Sequence, residues 1–252
     1  MKISLITPCF NSEKTIEDTI KSVLMQDYDN YEHIIIDGKS KDNTLKIIEK
    51  YKKDYKGRIK IVSEKDKSLF DAMNKGIKLA SGEIIGILNS DDVLDNNHVF
   101  KDVAGAMKND VSIVYSDLDF YNDDLTKVVR TFKTGYGSIF KGWHPPHPTL
   151  YLRREVYEQI GLFNLKYKIS ADLDLMIRIF KNADFKSKYL KKNLVKMRAG
   201  GVSTNGLKGY IKNFKEAVKV YRDNGISFPV LKNIYRSLKT IRQIHSAKDV
   251  SN

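Results

Sequence analysis

Three short apolar segments end in residues able to do chemistry. Ile3 to Thr7 leads into Thr7-Pro8-Cys9-Phe10-Asn11, His33 to Asp37 closes on Ile35-Ile36-Asp37-Gly38, and Ile84 to Leu88 leads into Asn89-Ser90-Asp91-Asp92. Adjacent acids such as Asp91 and Asp92 supply hard oxygen ligands, which suit Mg²⁺ or Mn²⁺ and the phosphates those ions bind. The same pair serves equally well to cap a following turn, and Asp37 alone reads more simply as a turn residue. The single cysteine, Cys9, excludes an internal disulfide and a multi-cysteine zinc site. It reads as a small filler at a strand end.

For these termini to meet, the elements before them must lie side by side. Strand-like segments at 3–7, 33–37, 59–62, 84–88 and 112–115 alternate with helical patterns. One helix carries Ile16, Ile20, Val23 and Leu24 on a face. A second, capped by Asp42, carries Leu45 and Ile48. A third carries Phe70, Met73, Ile77 and Ala80 and is closed by Gly82, and a fourth carries Val99, Val103 and Met107. Alternation of this kind predicts a parallel sheet covered by helices on both faces. Ligands of such sheets sit at the carboxyl ends of the strands, where the three polar termini lie.

Beyond Ser116 the pattern is mixed. A hairpin is expected from Leu118–Tyr121 and Val128–Phe132. After it come a Gly- and Pro-rich stretch with the only Trp, Trp143, a strand at 150–153, and a helix ended by Gly161. A helix near 173–180 and strands at 185–189 and 194–197 complete this part. His144 and His147 sit in the Pro-rich stretch without an acid nearby in sequence, a poor metal site and as readily structural. Trp143 could stack on a sugar or pack in the core. Lys65-Asp66-Lys67 reads as a solvated charge run, with donor contact as the other reading.

The 252 residues suit one domain with an appendage. Lys and Arg number 44 against 31 Asp and Glu, a net charge of +13, which calls for an anionic partner. From about Asn205 onward ten basic and three acidic residues place +7 of that charge in a tail. Its apolar stripes are Ile211, Phe214, Val218, Tyr221 and Leu231, Ile234, Leu238, Ile241, parted by Pro229. Such helices can lie on an anionic leaflet or pack on the domain. No Gly-x-Gly-x-x-Gly follows the first strand and no Gly-Lys-Ser/Thr phosphate loop is present, which argues against a dehydrogenase and a P-loop enzyme. No aromatic platform for nucleic acid is evident. No aliphatic run approaches the length of a bilayer span. With a strand-like start no signal peptide is expected, and the expected compartment is the cytoplasm.

Six segments together resemble family 2 glycosyltransferases. They are Ser4 to Asn11, Ile35 to Thr44, Asp71 to Gly76, Leu88 to Asp92, His147 to Arg154 and Ser170 to Leu175, in the family's order; Gly200-Gly201-Val202-Ser203 is similar to a late loop of the same enzymes. The similarity covers about residues 1 to 204 and is nearest to enzymes of bacterial capsule and O-antigen assembly. It implies an α/β GT-A fold, a Rossmann-like, mostly parallel sheet sandwiched by helices, with C-terminal amphipathic helices. Residues 1–116 would form the nucleotide-sugar half, 117–204 the acceptor half and 205–252 a basic helical tail.

The resemblance also implies roles. Thr7, Pro8 and Asn11 fall at the donor nucleotide, and Asp37 matches an acid that bonds uracil. Asp91 matches the second acid of an Asp-x-Asp metal motif, with Asp92 beside it, and Asp172 matches the catalytic base. The implied activity is inverting transfer of a hexose or N-acetylhexosamine from a UDP-sugar to a glycan hydroxyl, with Mn²⁺ or Mg²⁺. The basic tail, for its part, would seat the protein peripherally on the inner face of the cell membrane, the position that an acceptor linked to a polyprenyl diphosphate would require. Three departures stand out: Asn89 replaces the first acid of Asp-x-Asp, supplying no charge but still able to hydrogen-bond a ribose or sugar of the donor, Gly38 replaces a second acid after Asp37, and Ala171 replaces a frequent Glu. The rival reading is a non-catalytic protein that binds a nucleotide-sugar or nucleic acid.

Overall fold

In a computed structural model describing residues 1–200 and 206–237, the first seven elements alternate as the apolar spacing requires. They are β1 (Ile3–Cys9), α1 (Ile16–Leu24), β2 (Tyr31–Asp37), α2 (Thr44–Tyr51), β3 (Ile59–Ser63), α3 (Leu69–Leu79) and β4 (Ile84–Ile87). All residues of β1, β2 and β4 are buried, which is why these strands read as continuous apolar runs. β1 pairs in parallel with β2 and with β4, and β2 with β3.

Period-two alternation sends successive side chains to opposite faces. Ile6, Ile34, Ile36, Ile85 and Ile87 point into one core with Phe70, Met73 and Ile77 of α3. Leu5, Ile35 and Ile84 point into the other, with Ile16, Ile20 and Val23 of α1. Burying each such side chain contributes roughly 1.5–3 kcal/mol. Gly76 marks the closest approach of α3 to β1, since a Cβ there would lie 2.3 Å from Ile6 Cγ2.

The second half adds β5 (Val93–Leu94), α4 (Val99–Ala106), β6 (Val111–Tyr121), β7 (Val128–Phe132), β8 (Tyr151–Arg153), α5 (Arg154–Ile160), α6 (Ala171–Lys181), β9 (Lys186–Arg198) and α7 (Gly206–Asp223). The sheet order is β3-β2-β1-β4-β8-β6-β9-β5, with β7 also on β6. β8 enters antiparallel to β4 and β6, so the sheet is parallel over its first four strands and mixed beyond. The expected hairpin is present, with Leu118 opposite Phe132. Two pairs of expected strands are each one strand: 112–115 joins 118–121 in β6, and 185–189 joins 194–197 in β9. β6 runs through residue 116 without a break, so both halves of the chain share one sheet.

α7 packs on the body through Ala217, Val220 and Tyr221, all fully buried. That face is rotated from the expected stripe, in which only Tyr221 is buried; Ile211 is exposed. A further helix covers 229–237. Gly201 to Ser203, Leu238 and Ile241 lie outside the described residues.

Candidate active site

The carboxyl ends of β1, β2 and β4 are tied together by side-chain hydrogen bonds. Asp37, fully buried at the end of β2, accepts from the Lys39 N–H at 3.1 Å, the Ser40 N–H at 3.1 Å and the Ser63 hydroxyl at 2.6 Å, and also from the Ser40 hydroxyl. Backbone and hydroxyl donors to a carboxylate are the stronger kind of bond, ~1.5–3 kcal/mol each. They hold Lys39 at a φ of +67°. Asn11, at the tip of β1 with φ +50°, receives the Lys41 N–H at 2.9 Å on its Oδ1 and gives its own N–H to the Ser40 hydroxyl at 2.8 Å. Non-glycine residues held in the left-handed region cluster at functional sites because the surrounding bonds over-determine them.

The loop after β4 joins the same network. The Ser12 and Ser90 hydroxyls lie 2.8 Å apart, and Thr19 donates to the carbonyls of Ser90 and Asp92 at 3.0 and 2.7 Å. Asp92 is fully buried. Its carboxylate accepts from Asn89 Nδ2 at 3.0 Å and from the Arg198 N–H at 3.3 Å. Burial, then the neighbouring Asp91 charge, pushes its pKa well up. Asp91 is partly exposed beside it.

The Cys9 thiol is buried 3.9 Å from Asp37, and burial followed by the Asp37 charge pushes its pKa up, so it is held as a neutral thiol. Of the residues expected at the donor, Thr7 is turned into the core: its hydroxyl meets His33 Nε2 at 2.8 Å. Pro8 is buried within β1, pairing with Ile36.

Asp172 arrives by a different route. The antiparallel pairing of Gly86 with Tyr151 carries the chain before β8 past the carboxyl end of β4. The 3₁₀ turn His147–Thr149 therefore stands at the edge that holds Asn89 to Asp92. Asp172, in the first turn of α6, is close enough for its carboxylate to raise the His147 pKa, against the lowering that burial imposes. No acid near His147 was expected from the sequence; the fold supplies Asp172 from 25 positions downstream. Asp172 itself is not the helix cap, a position taken by Ser170. The N–H groups of Ile169 and Ser170 donate to Glu216 of α7, at 2.7 and 2.8 Å, which anchors the start of α6.

Two further residues belong to this edge. Asp66 is inside rather than solvated: it pairs with Lys75 at 2.6 Å, and burial raises its pKa. A Cβ at Gly38 would lie 3.2 Å from both Asp66 and the exposed Phe10, so Gly38 keeps that corner open. Arg198 was not anticipated, because an Arg ending a basic strand carries no sequence signal. Trp143 is a packing residue, buried between Tyr115 and Phe180 with its Nε1–H on the Thr134 carbonyl at 3.1 Å.

Among the described residues no three Asp, Glu, His or Cys side chains converge as a ready-made metal centre. The donors present nevertheless suit a Mg²⁺ or Mn²⁺ ion shared with a diphosphate, because such ions take one or two carboxylates plus phosphate oxygens. Asn89 Oδ1 is buried without a partner beside Asp92, an orphaned hard-oxygen acceptor at the position such a ligand would occupy.

A sequence profile described as Glycosyl transferase family 2 matches residues 4–191. The chain belongs to that family. It is a nucleotide-sugar-dependent glycosyltransferase with the GT-A fold. This family 2 chain is 31% identical over 184 residues to an Escherichia coli protein named UDP-Glc:alpha-D-GlcNAc-diphosphoundecaprenol beta-1,3-glucosyltransferase WfgD, covering 71% of this chain and 70% of that one. It is 28% identical over 203 residues to Bacillus subtilis EpsE, named a putative glycosyltransferase, with 78% and 73% covered. In fold it matches S. aureus TarS 1-349 in complex with UDP-GlcNAc, with a TM-score of 0.71, 20% identity and 92% and 69% covered. It spans 43% of the longer TarS chain. It also matches the mannosyltransferase PcManGT from Pyrobaculum calidifontis in complex with GDP-Man and Mn2+, with a TM-score of 0.68, 17% identity and 98% and 73% covered.

Proposed function

We propose that this glycosyltransferase moves a hexose or N-acetylhexosamine from a UDP-sugar to a hydroxyl of a glycan acceptor, with inversion. The observation that carries the reading is the carboxyl edge itself. Asp37, Asn89 and Asp91 come from neighbouring parallel strands, and Asp172 reaches the same edge beside His147.

Residues 1–116 hold the donor and residues 117–204 face the acceptor. Pro8, Asn11 and Asp37 shape the nucleotide corner, where Gly38 leaves room beside Phe10 and Asp66. Thr7 serves that corner through the backbone of β1, its side chain being engaged with His33. Asp91 would hold a divalent ion with the diphosphate, Asp92 lies buried beneath it, and Asn89 Oδ1 would supply a neutral oxygen. When bound, the ion offsets negative charge developing on the leaving UDP. Asp172 takes the proton of the attacking hydroxyl, help typically worth about 10²–10⁴-fold. Glu216 and the helix start keep that carboxylate in place. Attack opposite the leaving group needs no enzyme nucleophile, which agrees with a buried, neutral Cys9.

The similarity to WfgD supports an acceptor linked to a polyprenyl diphosphate, in bacterial surface polysaccharide assembly. Among the described residues no helix is long and apolar enough to cross a membrane. A lipid-linked acceptor then calls for peripheral placement on the inner face of the cell membrane. UDP release from a panel of UDP-sugars, with Mn²⁺ or Mg²⁺, tests the reading. Turnover with one or two UDP-sugars is expected; release from GDP-sugars alone would overturn the donor assignment.

A further inference from the structure

We propose that the outer face of α7 and the turn after it form a docking surface for an anionic phospholipid bilayer, with Phe228 as the inserting residue. Seven of the fifteen large apolar side chains exposed among the described residues lie between positions 210 and 235, so apolar exposure is concentrated there. Phe228 is 71% exposed and Leu231 64%, both close to the turn between α7 and the 229–237 helix. Phe228 holds a φ of +53°, and its carbonyl accepts the first helical bond, from Lys232 N–H at 3.1 Å. A bulky aromatic in a left-handed conformation, at a position where water favours Ser or Asp, is an outlier that points to a partner.

Charge identifies that partner. Of the two acids of α7, Glu216 is turned toward the body, and the exposed Asp223 is neutralised by Lys166 and Lys219. Glu216 holds the start of α6, and Asp223 accepts from Tyr167 at 2.7 Å and pairs with Lys166 at 3.2 Å. The outward side keeps exposed Lys212, Lys215 and Arg222, interleaved with Tyr210 and Ile211. A shallow groove of about 390 Å³, lined by Phe214, Val218 and Val230 with three cations, Lys215, Lys219 and Arg222, and one acid, Asp223, continues the face. Cations around exposed aromatic and aliphatic side chains match an anionic headgroup layer over acyl chains, whereas a nucleic acid would leave the apolar residues in water.

The placement deepens the lipid-linked acceptor reading and rests on it for its purpose. Lys215 of the docking face precedes Glu216, and Glu216 fixes the residues immediately before Asp172. A bilayer at this face would thus lie against the helix that anchors the start of α6.

The test uses the full chain without donor or acceptor, so its failure is separate from failure of the transfer reading. Co-sedimentation with phosphatidylglycerol vesicles should exceed that with phosphatidylcholine vesicles by about tenfold and fall with added salt. Phe228→Ser with Leu231→Ser should lower binding about tenfold, and Lys212→Gln with Lys215→Gln should weaken its salt dependence, with UDP binding unchanged in both. Phe228→Trp, which keeps a bulky ring, should shift its fluorescence to the blue on anionic vesicles only. Equal sedimentation of wild type and both double variants, or no shift from Phe228→Trp, overturns the proposal. So does a dimer in sedimentation velocity that Phe228→Ser dissolves, because a second copy would then cover the face.

Discussion

The guanidinium of Arg198, at the last position of β9, donates to the Asp91 carbonyl at 2.6 Å. The same group reaches the Asp123 carbonyl at 2.8 Å and the Asp18 carboxylate at 2.6 Å, while its backbone N–H meets Asp92. One side chain from a distant strand thus holds the loop that carries the proposed cation ligand. Its charge also works against the rise in the Asp92 pKa.

Arg198→Lys loses the planar fork but keeps a charge. Initial rates should show kcat/KM reduced by about 10- to 100-fold, equivalent to ~1.4–2.8 kcal/mol. The donor KM should rise more than the acceptor KM. Equal effects on both would assign Arg198 to general stability instead.

Asp172→Asn retains the shape and the first-turn position while removing the base. UDP should bind it as it binds wild type in calorimetry, with turnover down about 10²–10⁴-fold. Lost nucleotide binding would show that Asp172 supports the donor corner rather than the acceptor.

Asn89→Asp puts a second carboxylate against buried Asp92 and removes the Nδ2 donor that Asp92 accepts from. Without divalent ions the variant should be less stable by ~1–3 kcal/mol. Added Mn²⁺ should raise its melting temperature more than that of wild type. Melting curves with and without Mn²⁺ check both expectations.

His33 is buried between the Thr7 hydroxyl and the Tyr55 hydroxyl, which lies 2.6 Å from its Nδ1. Burial lowers its pKa to about 3 from 6.5. The unfolded chain therefore binds this proton first, so the stabilisation is fully present above about pH 6.5 and is lost as pH falls toward 3. His147 acts with the same sign. Urea midpoints should fall from pH 7 to pH 5, and His33→Gln, though less stable throughout, should show a shallower fall.

Strands β1, β2 and β4 were readable because strands buried on both faces must be apolar along their whole length, and β3, at the sheet edge, was readable from its place in the alternation of strand and helix. Ile34-Ile35-Ile36 could satisfy no other environment, and the polar residues beyond such runs had to stand at one edge. The family motifs lie on those elements, so the fold and the class of enzyme were legible from the chain alone. Strand β9 was not, because its first half is largely exposed and Lys191-Lys192-Asn193 interrupts its apolar pattern where its register with β6 shifts.

Tertiary structure alone decided which distant groups meet. The approach of Asp172 to His147, the clasp of Arg198 on Asp91, the turn of Thr7 toward His33 and the burial of Asp66 against Lys75 all depend on separate elements packing in one register. The rotation of α7 that buries Ala217, Val220 and Tyr221 was decided in the same way. Local sequence fixes how a segment curls and which side is apolar; it carries no information about which side a particular neighbour will cover.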